Sequence, residues 1–151
     1  MTIRPFKSAD ASRCVEIVHT CVPTMQGLNA AAVRFILDES TPDDVISDVN
    51  EGLAYVDVLD GQVVGLGMLV EGEIKRMYVD PVYQGHGVGA RIITALLAAA
   101  REQGLPQVRV EASLNGIGFY ERQGFVQQEL EIFRRGEVEF HYMHMLKRLE
   151  K

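Results

Sequence analysis

Residues 78–104 read YVDPVYQGHGVGARIITALLAAAREQG. The stretch divides into the end of a strand, a glycine-rich loop and a helix. Glycines at 85, 87 and 89 remove Cβ atoms, so the backbone can turn tightly and come close to a ligand. Behind the loop, Ile92, Ile93, Leu96, Leu97 and Ala100 recur at helical spacing on one face. Gly104 and Pro106 end that helix. Its first amides have no partner inside the helix, and the macrodipole adds partial positive charge there. A glycine loop feeding a helix N-terminus is an anion site, suited to a phosphate or pyrophosphate.

The glycines alone leave the ligand open. Gly85-x-Gly87-x-x-Ala90 fits a dinucleotide fingerprint, but that loop should follow its strand at once and lie in a repeated βαβ array. Here Asp80-Pro81-Val82-Tyr83 intervenes, and the chain closes in strands. The lysine and Ser/Thr of a P-loop are missing.

Outward from the loop, residues 53–59 and 62–70 form strands joined by the hairpin signal Asp60-Gly61. Glu71-Gly72 turns the chain into a third strand, 73–79, so the three make an antiparallel meander. After the loop and helix, the strand 107–112 runs parallel to the third, because a helical crossover joins them. A short helix over 116–123 ends at Gly124. Strands 125–132 and 138–146 close the chain. At the other end, residues 2–6 form a strand and 8–19 a helix, capped by Ser8 or Asp10, that buries Ala11, Cys14, Val15 and Val18. Residues 30–37 form a second helix. Thr41 caps a third, with Pro42 at its first position. The expected architecture is α/β: one mixed central sheet with helices on both faces, a single domain over residues 1–151.

Composition narrows the function. With 151 residues the chain can bury a proper core, and its 47% hydrophobic and 24% charged content is that of an ordinary globular protein. A net charge of −6 argues against a general nucleic-acid binder. No apolar run reaches membrane-spanning length, and the N-terminus carries no signal-peptide core. Cys14 and Cys21 fall about two helical turns apart, too far to bridge, which suits reduced core residues in a cytoplasmic protein.

Two motifs together carry a resemblance. Gln84-x-x-Gly87-x-Gly89, following the meander, is similar to the pyrophosphate loop of the GNAT N-acetyltransferases. Phe119-Tyr120-Glu121-Arg122-Gln123-Gly124-Phe125 resembles that family's FYExxGF segment. The order of elements also resembles the GNAT fold over the full chain. The resemblance implies transfer of an acetyl group from acetyl-CoA to the primary amine of a small acceptor by direct attack. A GNAT-like domain that binds CoA without catalysis is the alternative.

Further expectations follow from the resemblance. Strands 73–79 and 108–112 should splay, with the pantetheine arm between them held by backbone around Met77, Tyr78 and Val79. Amides of Gly85, His86, Gly87, Val88, Gly89 and Ala90 should hold the pyrophosphate, with Gln84 opening the same cofactor loop. Tyr120 matches the tyrosine that protonates the leaving thiolate. Glu73, eleven residues before Gln84, stands where some members place a general base, while others use a water chain. The family's CoA-contacting asparagine stands seven residues before the tyrosine. That position is Ser113 here, with Asn115 two residues later, and either can serve.

His86 could stand beside the expected phosphates or simply be solvated in the loop. His141 and His144 fall on opposite faces of a strand, so no metal site is expected. Carboxylates at Asp38, Glu39, Asp43, Asp44, Asp48 and Glu51 could steer a cationic acceptor, or could simply form a solvated helix face. The apolar closing strands could pair in a homodimer.

Overall fold

Runs with a period of two, broken by Asp-Gly and Glu-Gly turns, build strands Thr2–Pro5 (β1), Leu53–Leu59 (β2), Gln62–Val70 (β3), Glu73–Val79 (β4), Gln107–Ser113 (β5), Val126–Arg135 (β6) and Val138–Arg148 (β7). The computed structural model describes residues 1–149. One mixed sheet results, in the order β1-β2-β3-β4-β5-β7-β6. Every neighbouring pair is antiparallel except β4–β5, which the crossover helix makes parallel. Helices Ala11–Cys21 (α1) and Pro42–Asn50 (α3) supply Cys14, Ile17 and Val45 to one core. Val88–Glu102 (α4) and Ile117–Arg122 (α5) supply Ile92, Leu96 and Tyr120 to the other. Ala30–Asp38 (α2) lies against β7. The sheet is therefore flanked by helices on both faces, as expected.

β3 is the central strand, and from Val63 to Val70 every residue is buried. Its Gly65 and Gly67 set how closely α4 approaches. A Cβ on Gly65 would lie 2.7 Å from Val88 Cγ1, and one on Gly67 would lie 2.8 Å from Ile92 Cγ2. Both distances are below contact, so the two glycines let the helix settle directly on the sheet. That settling fixes the N-terminus of α4, and with it the glycine loop.

Three expectations shift. Val15 is half-buried, because α1 packs on α3 as well as on the sheet, and Ile17 and Cys21 share the buried stripe. Asp10 stands at the N-cap of α1, but its carboxylate turns back to the preceding turn, where it accepts the Lys7 amide at 2.8 Å. Arg4 grips the same carboxylate through both nitrogens, at 2.8 and 2.9 Å. The closing hairpin is longer than expected, because β7 pairs with β5 and β6 together. β6 forms an edge of the sheet and exposes Val126, Leu130 and Ile132.

Candidate active site

β4 and β5 pair only at Glu73↔Arg109 and Ile74↔Val110, and then part. A bulge between Leu66 and Met68 of β3 accompanies the parting. On β4, Arg76 takes φ +46°, a left-handed conformation costly for a residue with a Cβ. Its side chain holds it there. Nε donates to Asp48 Oδ2 at 2.7 Å, Nη1 to Ser40 Oγ at 2.9 Å and Nη2 to the Glu39 carbonyl at 2.9 Å. Two bonds to the α2–α3 connection and one to α3 over-determine the strained backbone.

The parted strands open a groove of about 840 Å³. Met77, Tyr78, Val79, Gln84, Gly85, Gly87, Val88, Gly89 and Ala90 line it, as do Glu73, Ser113, Asn115 and Tyr120. All but one of the expected site residues are thus brought together. The exception is His86, whose exposed ring places Nδ1 3.2 Å from the Tyr83 carbonyl and 3.1 Å from that of Gln84, within its own loop. Among the described residues, no group of three or more His, Cys, Asp or Glu side chains is placed to hold a metal. Nor is any described helix long and apolar enough to cross a membrane.

The glycines of the loop serve different ends. Gly85 and Gly87 have φ of +83° and +81°, and Gly87 is the N-cap of α4. Gly89 sits in the first helical turn, where a Cβ would come within 2.9 Å of the Phe119 ring. So conformation selects the first two and close packing against α5 selects the third. Gln84 turns back: its Nε2 donates to the Val79 carbonyl at 3.2 Å, and the Cys21 thiol donates to the same oxygen at 3.2 Å. The side chain braces the loop against β4. Arg91, one turn into α4, donates from Nε and Nη2 to the fully buried Asp57 of β2, at 3.0 and 2.8 Å.

Tyr120 is 7% exposed and packs edge-on between Phe119 and Phe125. Burial, with the Tyr78 phenol nearby, raises its pKa above the ordinary value, so it stays protonated. Burial likewise pushes Tyr78 up to about 12. The thiols of Cys14 and Cys21 rise to about 12 and about 11 for the same reason. Glu73 pairs with Arg109 at 3.4 Å. Asn115 Oδ1 accepts the Gln26 amide at 3.0 Å, tying the segment before α2 to the turn after β5. Ser113 stands at the N-cap of the turn that follows β5, and its side chain makes no cap bond there.

A second cavity, of about 500 Å³, opens beside the groove. Leu28, Phe35, Ile36 and Phe140 give it apolar walls, and Glu39, Asp48 and Glu111 bring carboxylates. Phe35 is 47% exposed although it is a large aromatic side chain. Of the six clustered carboxylates, then, only Glu39 and Asp48 reach this cavity. Asp44 instead caps α3, accepting from the Thr41 amide and hydroxyl at 3.0 and 2.7 Å.

Glu111 lines both spaces, and sequence reasoning missed it. The signal was there. In VRVEAS, Val108, Val110 and Ala112 are buried on one face, which leaves Arg109, Glu111 and Ser113 on the other. A role for Ser113 therefore implied a carboxylate two residues before it on the same face.

Comparisons with known proteins agree with this architecture. The family model described as "Acetyltransferase (GNAT) domain" matches residues 22–147. An amino-acid acetyltransferase of Mycobacterium tuberculosis is 40% identical over 76 aligned positions, and the match covers 47% of this chain and 42% of that protein. The match thus spans less than half of the relative's length. The crystal structure of a GCN5-related N-acetyltransferase from Rhodopseudomonas palustris superposes with a TM-score of 0.88 at 22% identity, covering 98% of this chain and 95% of that one. A PaiA N-acetyltransferase from Thermoplasma acidophilum, solved with coenzyme A, gives a TM-score of 0.76 at 14% identity, covering 99% and 100%.

Proposed function

The chain belongs to the GNAT acetyltransferase family, and we propose that it moves an acetyl group from acetyl-CoA to the primary amine of a small acceptor. The observation that carries this reading is the groove between β4 and β5, which ends at a glycine loop and a helix N-terminus. That geometry suits a long, flexible arm with a pyrophosphate at one end. Amides from Gly85 to Ala90 hold the pyrophosphate, and backbone of Met77 to Val79 holds the arm. The Val79 carbonyl already has two donors, so the arm is left the remaining main-chain groups. Ser113 contacts the arm rather than Asn115, whose Oδ1 is engaged by Gln26.

Tyr120 gives its proton to the departing thiolate. Its raised pKa keeps the phenol protonated, so the proton is in place when the thiolate leaves beside it. An alkylamine with a pKa near ~10.4 is neutral in only about one molecule in 2,500 at pH 7, so a base is needed. Two carboxylates line the groove, Glu73 and Glu111.

The acceptor occupies the second cavity. Its apolar walls favour an acceptor with a hydrocarbon or aromatic body, and Glu39 and Glu111 favour a cationic amine. We place the reaction in the cytoplasm, since Cys14 and Cys21 are both free buried thiols. Incubating the purified protein with acetyl-CoA and a panel of primary amines, and following thiol release, tests the reading. Amine-dependent release with formation of the N-acetyl product is expected. Acetyl-CoA binding with no transfer to any amine would leave a CoA-binding domain instead.

A further inference from the structure

The groove and the second cavity share six lining residues: Met25, Lys75, Arg76, Tyr78, Glu111 and Ser113. A reacting amine must pass from one space to the other at this junction. Among the described residues, Glu111 is the only carboxylate there. Glu73 lines the groove alone, and Glu39 and Asp48 line the cavity alone. Building on the acetyl-transfer reading, we propose that Glu111 is the base that takes the proton from the acceptor's ammonium.

Three of the neighbouring acids are already engaged. Glu73 pairs with Arg109, and Asp48 with Arg76. Glu131 of β6 accepts the Tyr142 hydroxyl at 2.8 Å and lies 2.7 Å from His144 Nε2. No hydrogen bond occupies Glu111 among the described residues.

Several charged groups face Glu111. Glu73 and Lys75 stand on β4, His144 is its register partner on β7, and Glu131 lies beyond on β6. Tyr142 of β7 borders it too, and Glu39, Asp48, Arg76 and His141 line the cavity around it. Although Glu111 is exposed at the mouth of the junction, partial burial of the carboxylate is the largest influence on it. Glu73 and Glu131 act in the same direction, and His144 and Lys75 oppose them. The net effect raises Glu111 above the ordinary carboxylate value, which makes it a better proton acceptor than an exposed glutamate.

The proton inventory closes. Glu111 removes one proton from the ammonium and leaves a neutral amine. The amine nitrogen forms a bond to the thioester carbonyl carbon, and the carbon–sulfur bond then breaks. Sulfur takes the Tyr120 proton, and the phenolate recovers one from the nitrogen, which becomes the amide. Glu111 returns its proton to solvent, so one proton is released per amide formed.

The test uses the full chain with acetyl-CoA and the best alkylamine of a primary-amine panel. Glu111→Gln should lower kcat/KM at pH 7 by about 10²-fold or more, with acetyl-CoA affinity unchanged. From pH 7 to 9 the variant should regain about tenfold per unit, as the free amine supplies itself, while the parent levels off. Glu111→Asp, which keeps a carboxylate, should retain the parent's pH profile at a reduced rate. Glu73→Gln removes a charge that raises Glu111, so it should move the acid limb of the parent's profile to lower pH. A Glu111→Gln rate close to the parent's at pH 7, or a loss that no increase in pH repairs, overturns the assignment. A parent that transfers to no amine at all overturns the acetyl-transfer reading, and this inference with it.

Discussion

On one side of Glu111 the groove is walled largely by main chain: the parted edges of β4 and β5, and the first turn of α4 behind Gly85 and Gly87. On the other side the cavity is walled by side chains from α2, the α2–α3 connection and β7. The difference teaches where specificity can reside. A main-chain cradle fixes one kind of ligand and tolerates few changes, since it depends on backbone conformation and close helix–sheet packing. A cavity lined by Phe35, Ile36, Glu39 and Phe140 can change its occupant by changing side chains while the sheet stays as it is.

Substitutions on either side can break or sharpen this contrast. The largest effect is expected at the shared chemistry. Tyr120→Phe should lower the transfer rate by about 10²-fold with acetyl-CoA affinity nearly unchanged, because the ring still fills its place between Phe119 and Phe125. Pre-steady-state measurement of acetyl transfer checks it, and an unchanged rate removes the acid role. Next comes the support of the main-chain side. Gly67→Ala puts a Cβ against Ile92 and the Met77 sulfur, and overpacking of this kind costs about 1–3 kcal/mol. Urea unfolding should show that loss together with weaker acetyl-CoA binding, as α4 lifts from β3.

Smaller effects are expected on the side-chain face. Glu39→Gln should lower kcat/KM for a cationic amine by about two- to fivefold, and added salt should erase that difference, because screening shortens the field to about 8 Å at physiological ionic strength. Steady-state rates across a salt series decide it, and a rate indifferent to both changes returns the acidic residues to simple solvation. The smallest effect concerns His144. The hydrogen bond to Glu131 is the largest of the influences that raise its pKa. Stability from that pair should be fully present below the unfolded histidine value, about 6.5, and fade as pH rises through the higher folded value. Because the two side chains are 35% and 45% exposed, the change in stability should be slight. The shift itself should be plain in an NMR titration, and Glu131→Gln should lower it.

The contrast also explains what could be read from residue order. The meander, the loop and α4 were legible because their signals are local: alternation, Asp60-Gly61, spaced glycines, and apolar residues three and four apart. Thr41 was read as a cap for the same reason, and its side chain accepts the Asp44 amide. Alternation along β5 sets Glu111 on the face of Ser113, but its place at the junction depends on how β5 registers against β4 and β7, partners distant in the chain. The strain at Arg76 was equally hidden, because the bonds that hold it come from Glu39, Ser40 and Asp48. The exposed His86 ring lies against the Tyr83 and Gln84 carbonyls of its own loop, a contact that residue order alone does not show.

Acetyl-CoA binding at residues 84–90 is tested most directly by calorimetric titration of the parent and of Gly87→Glu. Gly87 caps α4 with φ +81°, and a Cβ there meets only Arg91 Nη1, at 3.2 Å. The glutamate would set a negative charge where the pyrophosphate is proposed to lie; the left-handed backbone strains it locally, but its Cβ would meet no core atom. The parent should bind acetyl-CoA, and the variant, folded by circular dichroism, should bind at least about a hundredfold more weakly, a difference of roughly 2.7 kcal/mol. Equal affinity in the two folded proteins would contradict the placement of the cofactor.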